Sequence, residues 1–269
     1  MRGRPAEARD RSSAYWDGIA SATGAAKPPL WRLHADRATL ALLDRWLPAE
    51  RRHRVLKTDL YDESCTAGLA PSLGERSDVV VGIDVSTVVA RRAAADGAVL
   101  AVACDVRRLP FRSGSFDAVV SNSTLDHFAH GRDIDRGLRE LERVLADAGS
   151  LIVTLDNPRH PLVGLRQTLA PLWQRLGVVP YPLGATYGSR ALHEALAASG
   201  FEVLEMTAVH HFPRIVLVAA QRLLRGPLVA RLLRVADRAE RLGTWPTRFL
   251  TGQYVAALAR PARRAASRE

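Results

Sequence analysis

The sequence predicts an α/β protein with a doubly wound, parallel sheet and helices on both of its faces. Short apolar runs of strand length alternate with helical patterns between residues 53 and 156, and strands separated by helices indicate parallel βαβ units. The chain has 269 residues, of which 47% are hydrophobic. That is enough for one large domain of this class with extensions.

Five strands of this sheet follow one another along the chain. They are HRVLKTDL (53–60), DVVVGIDV (78–85), AVLAVACDV (98–106), FDAVVSNST (116–124) and SLIVTLD (150–156). Helices are predicted between them over 62–75, 86–97 and 133–149. Ser86 suits the N-cap of the second helix, and Gly97 and Gly149 suit the ends of the second and third.

The segments that flank this region are mainly helical patterns. A helix over 30–47 ends before Pro48. The later elements are a helix over 189–200, a strand over 201–212, one or two helices over 214–243 broken at Gly226–Pro227, and a closing strand over 251–260. We therefore divide the chain into an N-terminal helical cap (1–48) and a main domain (49–269), with cap insertions at about 158–188 and 213–250.

Composition restricts the class of protein. The net charge is +10 and the cations are almost all arginine, since lysine occurs only at Lys27 and Lys57. No run of about 18 uncharged apolar residues suggests a spanning helix, and no signal sequence is visible, so we expect a cytoplasmic protein. Cys65 and Cys104 are too few for a disulfide framework or a cysteine metal site, and we expect no metal. No aromatic-interleaved basic patch points to a nucleic-acid partner.

Acidic side chains stand where the predicted strands end. Asp84 ends the second strand, Asp105 ends the third, and Asp126 and His127 follow the fourth. Open α/β sheets bind ligands at the carboxyl ends of their strands. A carboxylate at position 84 can accept hydrogen bonds from both hydroxyls of a ribose.

The stretch DVRRLPFRSGSFDAVVSNSTLDHF, followed by LRELERVLADAGSLIVTLDN, resembles class I S-adenosylmethionine-dependent methyltransferases. The resemblance covers about residues 50–157 and implies a Rossmann-like, seven-stranded, mostly parallel sheet whose last strand is antiparallel. It implies S-adenosylmethionine as the cofactor, with Asp84 on the ribose and Asp105 and the main chain of Val106 on the adenine edge. Ser121, in the fourth strand, joins the cofactor-binding candidates.

The loop after the first strand departs from the family pattern D/E-x-G-x-G-x-G. Lys57 stands in place of the acid, Asp59 in place of the first glycine, and no glycine follows until Gly68. The family's glycines permit positive φ and a close approach of the backbone to the methionine moiety. Carboxylates at Asp59, Asp62 and Glu63 would repel the carboxylate of the cofactor.

Two interpretations of this loop remain open. In the first, Lys57 pairs with the cofactor carboxylate or with Asp59, and the loop still binds S-adenosylmethionine for methyl transfer to a small, hydrophobic acceptor. In the second, the protein keeps the fold without methylating, and serves as a cyclase, a rearrangement enzyme or a scaffold partner. The intact distal residues Asp84 and Asp105 favour the first interpretation.

Candidates for the catalytic base come from the mouth of the sheet and the covering segments. His127 is the first, because it follows the fourth strand and titrates near neutrality, and His160, Tyr187 and His211 come next. The segments outside the sheet contain five aromatic residues that predict an apolar acceptor pocket: Trp16, Trp31, Trp173, Tyr181 and Trp245. His210 and His211 are neighbours on a predicted strand and point to opposite faces, so they are not expected to share a metal.

The segment 214–243 carries a basic amphipathic pattern. Arg231, Arg234, Arg238 and Arg241 share one helical face opposite leucines and valines. Such a helix either packs on its own domain as a lid or lies on an anionic membrane surface. We favour the lid, and a weak membrane contact is the alternative.

Overall fold

A seven-stranded sheet forms the centre of the protein in a computed structural model that describes residues 5–22, 29–47, 50–95, 97–169 and 184–262. The strands are β1 (Arg52–Thr58), β2 (Ser77–Asp84), β3 (Leu100–Ala103), β4 (Phe116–Asn122), β5 (Leu145–Asp156), β6 (Phe201–Val209) and β7 (Tyr254–Pro261). Their order across the sheet is β3-β2-β1-β4-β5-β7-β6. Strand β7 runs antiparallel to β5 and β6, while β1 to β5 are parallel. The predicted Rossmann-like, mostly parallel sheet is confirmed.

Helices connect the strands and cover both faces of the sheet. They are α1 (Pro5–Ala22), α2 (Leu30–Trp46), α3 (Tyr61–Cys65), α4 (Ala70–Arg76), α5 (Thr87–Ala93), α6 (Gly131–Val144), α7 (Pro161–Thr168), α8 (Ser189–Ala198), α9 (Arg214–Leu223), α10 (Pro227–Ala239) and α11 (Arg248–Thr251). The break predicted at Gly226–Pro227 separates α9 from α10, and Gly226 has a φ of 54°. No helix in the described ranges is long and apolar enough to cross a membrane.

Two predicted helix boundaries were wrong. The helix expected over 62–75 is divided into α3 and α4, because the chain turns at Gly68 with a φ of 53°. Helix α6 ends at Val144 instead of Gly149, and β5 begins at once. Leu145 pairs with Phe116 of β4 and is buried with it in the core, so the strand extends over residues that continue the apolar pattern of the helix.

Successive side chains of each strand point to opposite faces of the sheet and form two apolar layers. On one face, Leu56 and the strand side chains on the same side pack against α6 and α8. On the other face, Val55 and the strand side chains on its side pack against α2, α4 and α5, where Leu43 and Leu73 are fully buried. Helix α2, which lies in the predicted N-terminal cap, therefore covers this face of the sheet. Both layers hold the carboxyl ends of the central strands in place.

Candidate cofactor and acceptor site

A cavity of about 460 Å³ opens at the carboxyl ends of the parallel strands. This volume is typical of small-molecule sites, and the position is the one expected for an open α/β sheet. Residues of β1, β2 and β4 and the residues following β3 form its floor. Its walls come from α1, α2, the segment 210–217 and residues 253–254.

Asp59 has a backbone conformation that glycine adopts freely and that most other residues avoid. Its φ is 66°, in the left-handed region, and its Oδ1 atom accepts a hydrogen bond of 2.8 Å from the main-chain N–H of Tyr61. Aspartate tolerates this region better than most residues, because its short side chain bonds to the nearby backbone. The position where the family pattern has its first glycine therefore has a positive φ in this chain.

Lys57 is buried at the end of β1, where its ammonium group donates to Glu63 Oε2 at 2.8 Å and to the main-chain oxygen of Asp59. The predicted pairing with the Asp59 carboxylate was wrong, since the carboxylate partner is Glu63. Burial alone would lower the pKa of Lys57, but the carboxylates of Glu63, Asp59 and Asp62 outweigh it and raise this pKa. The other oxygen of Glu63 accepts from the N–H of Leu69 at 2.9 Å, so the pair ties β1 to the start of α4.

Three further carboxyl groups at this end of the cavity have raised pKa values. Burial raises the pKa of Asp62 to about 7, although Arg32 lies 2.6 Å from it. Burial and the charge of Asp59 raise the pKa of Asp84 to about 6, and burial also raises the pKa of Asp36. A bound cation would stabilise the ionised forms of these groups.

Asp84 and Asp105 both line the cavity, but they differ in the partners they already have. The carboxylate of Asp84 accepts from the N–H of Leu60 at 3.0 Å and of Ser86 at 2.8 Å. A carboxylate has about four acceptor sites, so two remain for a ligand. Asp105 is ion-paired with Arg107 at 2.6 Å, and this arginine competes for the edge that would read an adenine.

A second group of polar residues lies on the side of β4, β5 and β7. Asp126 accepts from Ser123 Oγ at 3.0 Å and from the N–H of Asp156 at 2.9 Å. Burial and the charge of Asp126 raise the pKa of Asp156 to about 6, and Arg166 pairs with it. His127 is an exposed residue that lines the cavity with its ring edge-on to Trp16, 5.0 Å between centroids.

His210 is a cavity residue that the sequence did not single out for this role. It has a φ of 59°, and its ring packs edge-on against Tyr254 at 4.8 Å. Its Nε2 atom is buried and has no hydrogen-bond partner among the described residues. Burial lowers the pKa of His210 to about 4, so the ring is neutral at physiological pH. No local sequence signal marks it, because its position depends on the contacts of the segment after β6.

Several of the predicted site residues do not line the cavity. Ser121 is fully buried and accepts from Thr58 Oγ1 at 3.0 Å. Tyr187 donates to Asp135 at 2.9 Å, and burial with this bond raises its pKa to about 12. His160 is buried at the start of α7, and His211 is bonded to Thr251 and Ala208. These four side chains lie in other contacts, so the structure does not bring them together with the residues that line the cavity.

The predicted aromatic cap is present in part. Trp16 and Trp31 line the cavity, and the Arg214 guanidinium lies 3.6 Å from the centroid of Trp31. Trp245 is 58% exposed and does not line the cavity. Trp173 and Tyr181 lie outside the described residues.

Comparison with known proteins agrees with this geometry. Residues 62–153 match the family model of a methyltransferase domain. Over 50 residues the chain is 40% identical to the mouse (Mus musculus) protein named "Probable tRNA methyltransferase 9B". This alignment covers 19% of the chain and 11% of the relative, so the chain spans about a tenth of that protein's length.

Solved structures share the fold over most of the chain. A SAM-dependent methyltransferase from Thermotoga maritima has a TM-score of 0.58 and 16% identity, over 86% of this chain and 91% of that one. The (4+2)-cyclase SpnF has a TM-score of 0.54 and 22% identity, over 85% and 81% of the two chains. At these identities the likeness shows the fold alone.

The sheet order and the strand-end cavity define a Rossmann-like protein of the methyltransferase type. Residues 62–153 also match the methyltransferase-domain model, so fold and sequence are both similar to those of class I S-adenosylmethionine-dependent methyltransferases. This class implies S-adenosylmethionine as the cosubstrate.

Proposed function

We propose that the protein transfers a methyl group from S-adenosylmethionine to a small, hydrophobic acceptor. The observation that carries this proposal is the conformation of Asp59. Its φ of 66° lies in the region that glycine adopts freely, at the position of the first glycine of the family pattern, and Asp59 lines the cavity together with Asp84 and Val106. A left-handed residue other than glycine is a strained feature of a kind that is concentrated at functional sites.

The cavity residues fit the parts of the cofactor. Asp84 has acceptor sites left for the ribose hydroxyls, and the main chain of Val106, which lines the cavity, would contact the adenine edge. The Lys57 ammonium has three donors, of which two have partners, and the third is available to the methionine carboxylate. Asp59 and Asp62 suit the ammonium and sulfonium charges. When bound, the cofactor supplies an electrophilic methyl group.

The acceptor would lie on the side of β4, β5 and β7. Trp16, Trp31, Phe212, Leu217 and Tyr254 give this region apolar walls, which favours a hydrophobic molecule. Methyl transfer chiefly requires alignment of the nucleophile with the methyl group.

If the acceptor is a hydroxyl group, a neutral imidazole can take its proton. His127 and His210 both line the cavity, and they are the two candidates for this role. His210→Phe and His127→Ala would separate them, since loss of the base should lower turnover about a hundredfold while cofactor affinity stays unchanged.

The proposal is tested by calorimetric titration of the full chain with S-adenosylmethionine and S-adenosylhomocysteine. We expect micromolar binding of both, and transfer of labelled methyl groups to a member of a panel of apolar hydroxyl and amine compounds. No binding at millimolar concentration would contradict the proposal.

The alternative is a protein of the same fold that does not methylate. The engagement of Lys57 by Glu63 supports it, because this lysine is less free to hold the cofactor carboxylate. The fold neighbour SpnF is a cyclase by name. Absence of cofactor binding in the same titration, with the protein folded, would favour this alternative.

A further inference from the structure

The outer surface of α9 and α10 is rich in exposed aliphatic side chains. Ile215 and Leu223 of α9 are 68% and 80% exposed, and Leu228 and Val235 of α10 are each 51% exposed. The inner surface packs on α2, where Leu217, Ala220, Leu233 and Ala236 are buried. The two helices therefore cover their own domain, as a lid does, and leave a second apolar stripe uncovered.

This outer surface is also strongly basic. Arg222, Arg231, Arg234 and Arg238 are exposed on the two helices, and Arg225 and Arg241 are exposed just after α9 and α10. None of the six has a carboxylate partner within 4 Å in the described part of the chain. The acids of the same segment are turned inward. Asp237 contacts His34 and Arg37 of α2, and Glu240 contacts His34. Because these two carboxylates face α2, they do not pair with the arginines of the outer surface.

The aliphatic and basic side chains share one helical face. The spacing on α10 shows this, since Leu228 is followed three, seven and ten residues later by Arg231, Val235 and Arg238. Residues at this spacing lie on one stripe of a helix. On α9, Ile215 and Arg222 are seven residues apart. The sequence-based view that the arginines stand opposite all leucines and valines was therefore wrong for Leu228 and Val235.

We propose that this outer face of α9 and α10, the α9–α10 face, docks on an anionic lipid surface. The arginines would contact lipid phosphates, and the aliphatic side chains between them would enter the boundary of the acyl chains. The phosphates of a nucleic acid could also bind the arginines. Nucleic acid would leave Ile215, Leu223 and Leu228 without an apolar partner, because single strands bind through stacking on aromatic side chains. Docking does not depend on methyl transfer.

The test is flotation of the full chain with lipid vesicles. We expect most of the protein to float with phosphatidylcholine containing about 30% phosphatidylglycerol at about 0.1 M salt. Flotation should fall with phosphatidylcholine alone and at about 0.5 M salt, because charge attraction is then absent or screened. A wild-type protein that stays in solution under all conditions would overturn the proposal.

Variants separate the α9–α10 face from the general positive charge of the chain. Arg231→Glu with Arg238→Glu should lower the partition coefficient at least tenfold, since each arginine near the surface is worth about 1 kcal/mol. The control is Arg136→Glu with Arg139→Glu, which makes the same charge change on the exposed side of α6, across the sheet. An equal loss in this control would overturn the assignment to the α9–α10 face.

A third variant tests the aliphatic contribution. Ile215→Ser with Leu223→Ser should lower partition at least threefold at unchanged charge, while Leu204→Ser on the edge strand β6 should not. Unchanged partition in the α9 variant would overturn the insertion of these side chains. Retention of a transfer-RNA mixture without vesicle flotation, lost in the Arg231 and Arg238 variant, would assign the α9–α10 face to nucleic acid instead.

Discussion

Asp59 combines a residue type that departs from the family pattern with a backbone conformation that suits glycine. The pattern has its first glycine at this position. The structure has a left-handed residue there, held by the bond from Tyr61 N–H to Asp59 Oδ1. Sequence reasoning could not foresee this result, because backbone conformation at a single residue depends on a local hydrogen bond.

Asp59→Gly and Asp59→Ala form a matched pair that tests this explanation. Both variants lose the carboxylate that accepts from the N–H of Tyr61, so each should lower the free energy of unfolding. Asp59→Ala should cost about 1–2 kcal/mol more than Asp59→Gly, because alanine pays for the left-handed backbone that glycine adopts freely. Urea unfolding measures both, and equal destabilisation would contradict the explanation.

Asp84 and Asp105 allow a second comparison at the residue scale. We expect Asp84→Ala to weaken S-adenosylhomocysteine binding more than Asp105→Ala, because charge-assisted bonds to two ribose hydroxyls are worth about 1.5–3 kcal/mol each. Asp105 is already paired with Arg107, so its loss removes less from the ligand. Calorimetry measures both affinities. Unchanged affinity in folded Asp84→Ala would remove the ribose assignment.

At the scale of elements, the Lys57–Glu63 pair fastens the first strand to the loop and helix that follow. Both side chains are at most 3% exposed. A buried pair that loses one partner leaves an uncompensated charge, whereas removal of both partners is far less costly. The pair therefore sets the shape of the loop that would hold the methionine part of the cofactor.

A double-mutant cycle tests this role. Lys57→Met alone should cost about 3–5 kcal/mol of unfolding free energy, while Lys57→Met with Glu63→Gln should cost clearly less. In the double variant, S-adenosylhomocysteine should bind at least tenfold more weakly and adenosine about as before, because only the former has a carboxylate. Additive costs would show that the two side chains do not act as a pair.

The elements near the sheet were more predictable than their boundaries. The end of β2 at Asp84 could be predicted because the apolar run stops there, and the strand-end rule places ligands beside it. The third strand was predicted too long, since β3 ends at Ala103 and Asp105 follows it. The end of α6 could not be predicted, because Leu145 fits the apolar pattern of the helix and is recruited by pairing with Phe116. Pairing across the sheet is a tertiary interaction that local periodicity does not contain.

At the scale of the whole molecule, the site joins segments that are distant in the sequence. Trp31 from α2 meets Arg214 from α9, and His210 packs on Tyr254. The strand order brings Asp84 of β2 and Asp156 of β5 to the carboxyl-end edge of the sheet. This part of the site follows from the alternation of strands and helices in the sequence. The acceptor wall depends on how helices pack over that edge, and the sequence does not specify this without the fold.

The carboxyl groups of the cavity predict a pH dependence of ligand choice. Burial raises the pKa of Asp84 to about 6 and of Asp62 to about 7, from an ordinary value of 3.8. In the unliganded protein these groups favour the folded state most below that ordinary value, and the contribution is lost as pH rises through 6 and 7. Above pH 7 both are ionised, and the cavity has its highest affinity for a cation.

S-adenosylmethionine carries the sulfonium charge that S-adenosylhomocysteine lacks. A carboxylate about 8 Å from that charge is worth about 2 kcal/mol at an effective dielectric of about 20. The affinity ratio of the two ligands should therefore rise about thirtyfold in favour of S-adenosylmethionine for each such carboxylate that ionises as the pH increases through 6 and 7. Calorimetry across this range measures it, and S-adenosylhomocysteine is the internal control for the groups the ligands share. A flat ratio would show that these acids lie too far from the sulfonium.

The position of β7 bears on how the chain folds during its synthesis. Strand β7 follows all the other described strands in the chain, yet it lies between β5 and β6 and pairs with both. While a ribosome is still making residues 157–253, β5 therefore has a bare edge and β6 has no place in the sheet. Unpaired strand edges are sites of wrong association. Until residue 261 has left the exit tunnel, the edge of β5 that β7 occupies in the finished sheet cannot be fully paired.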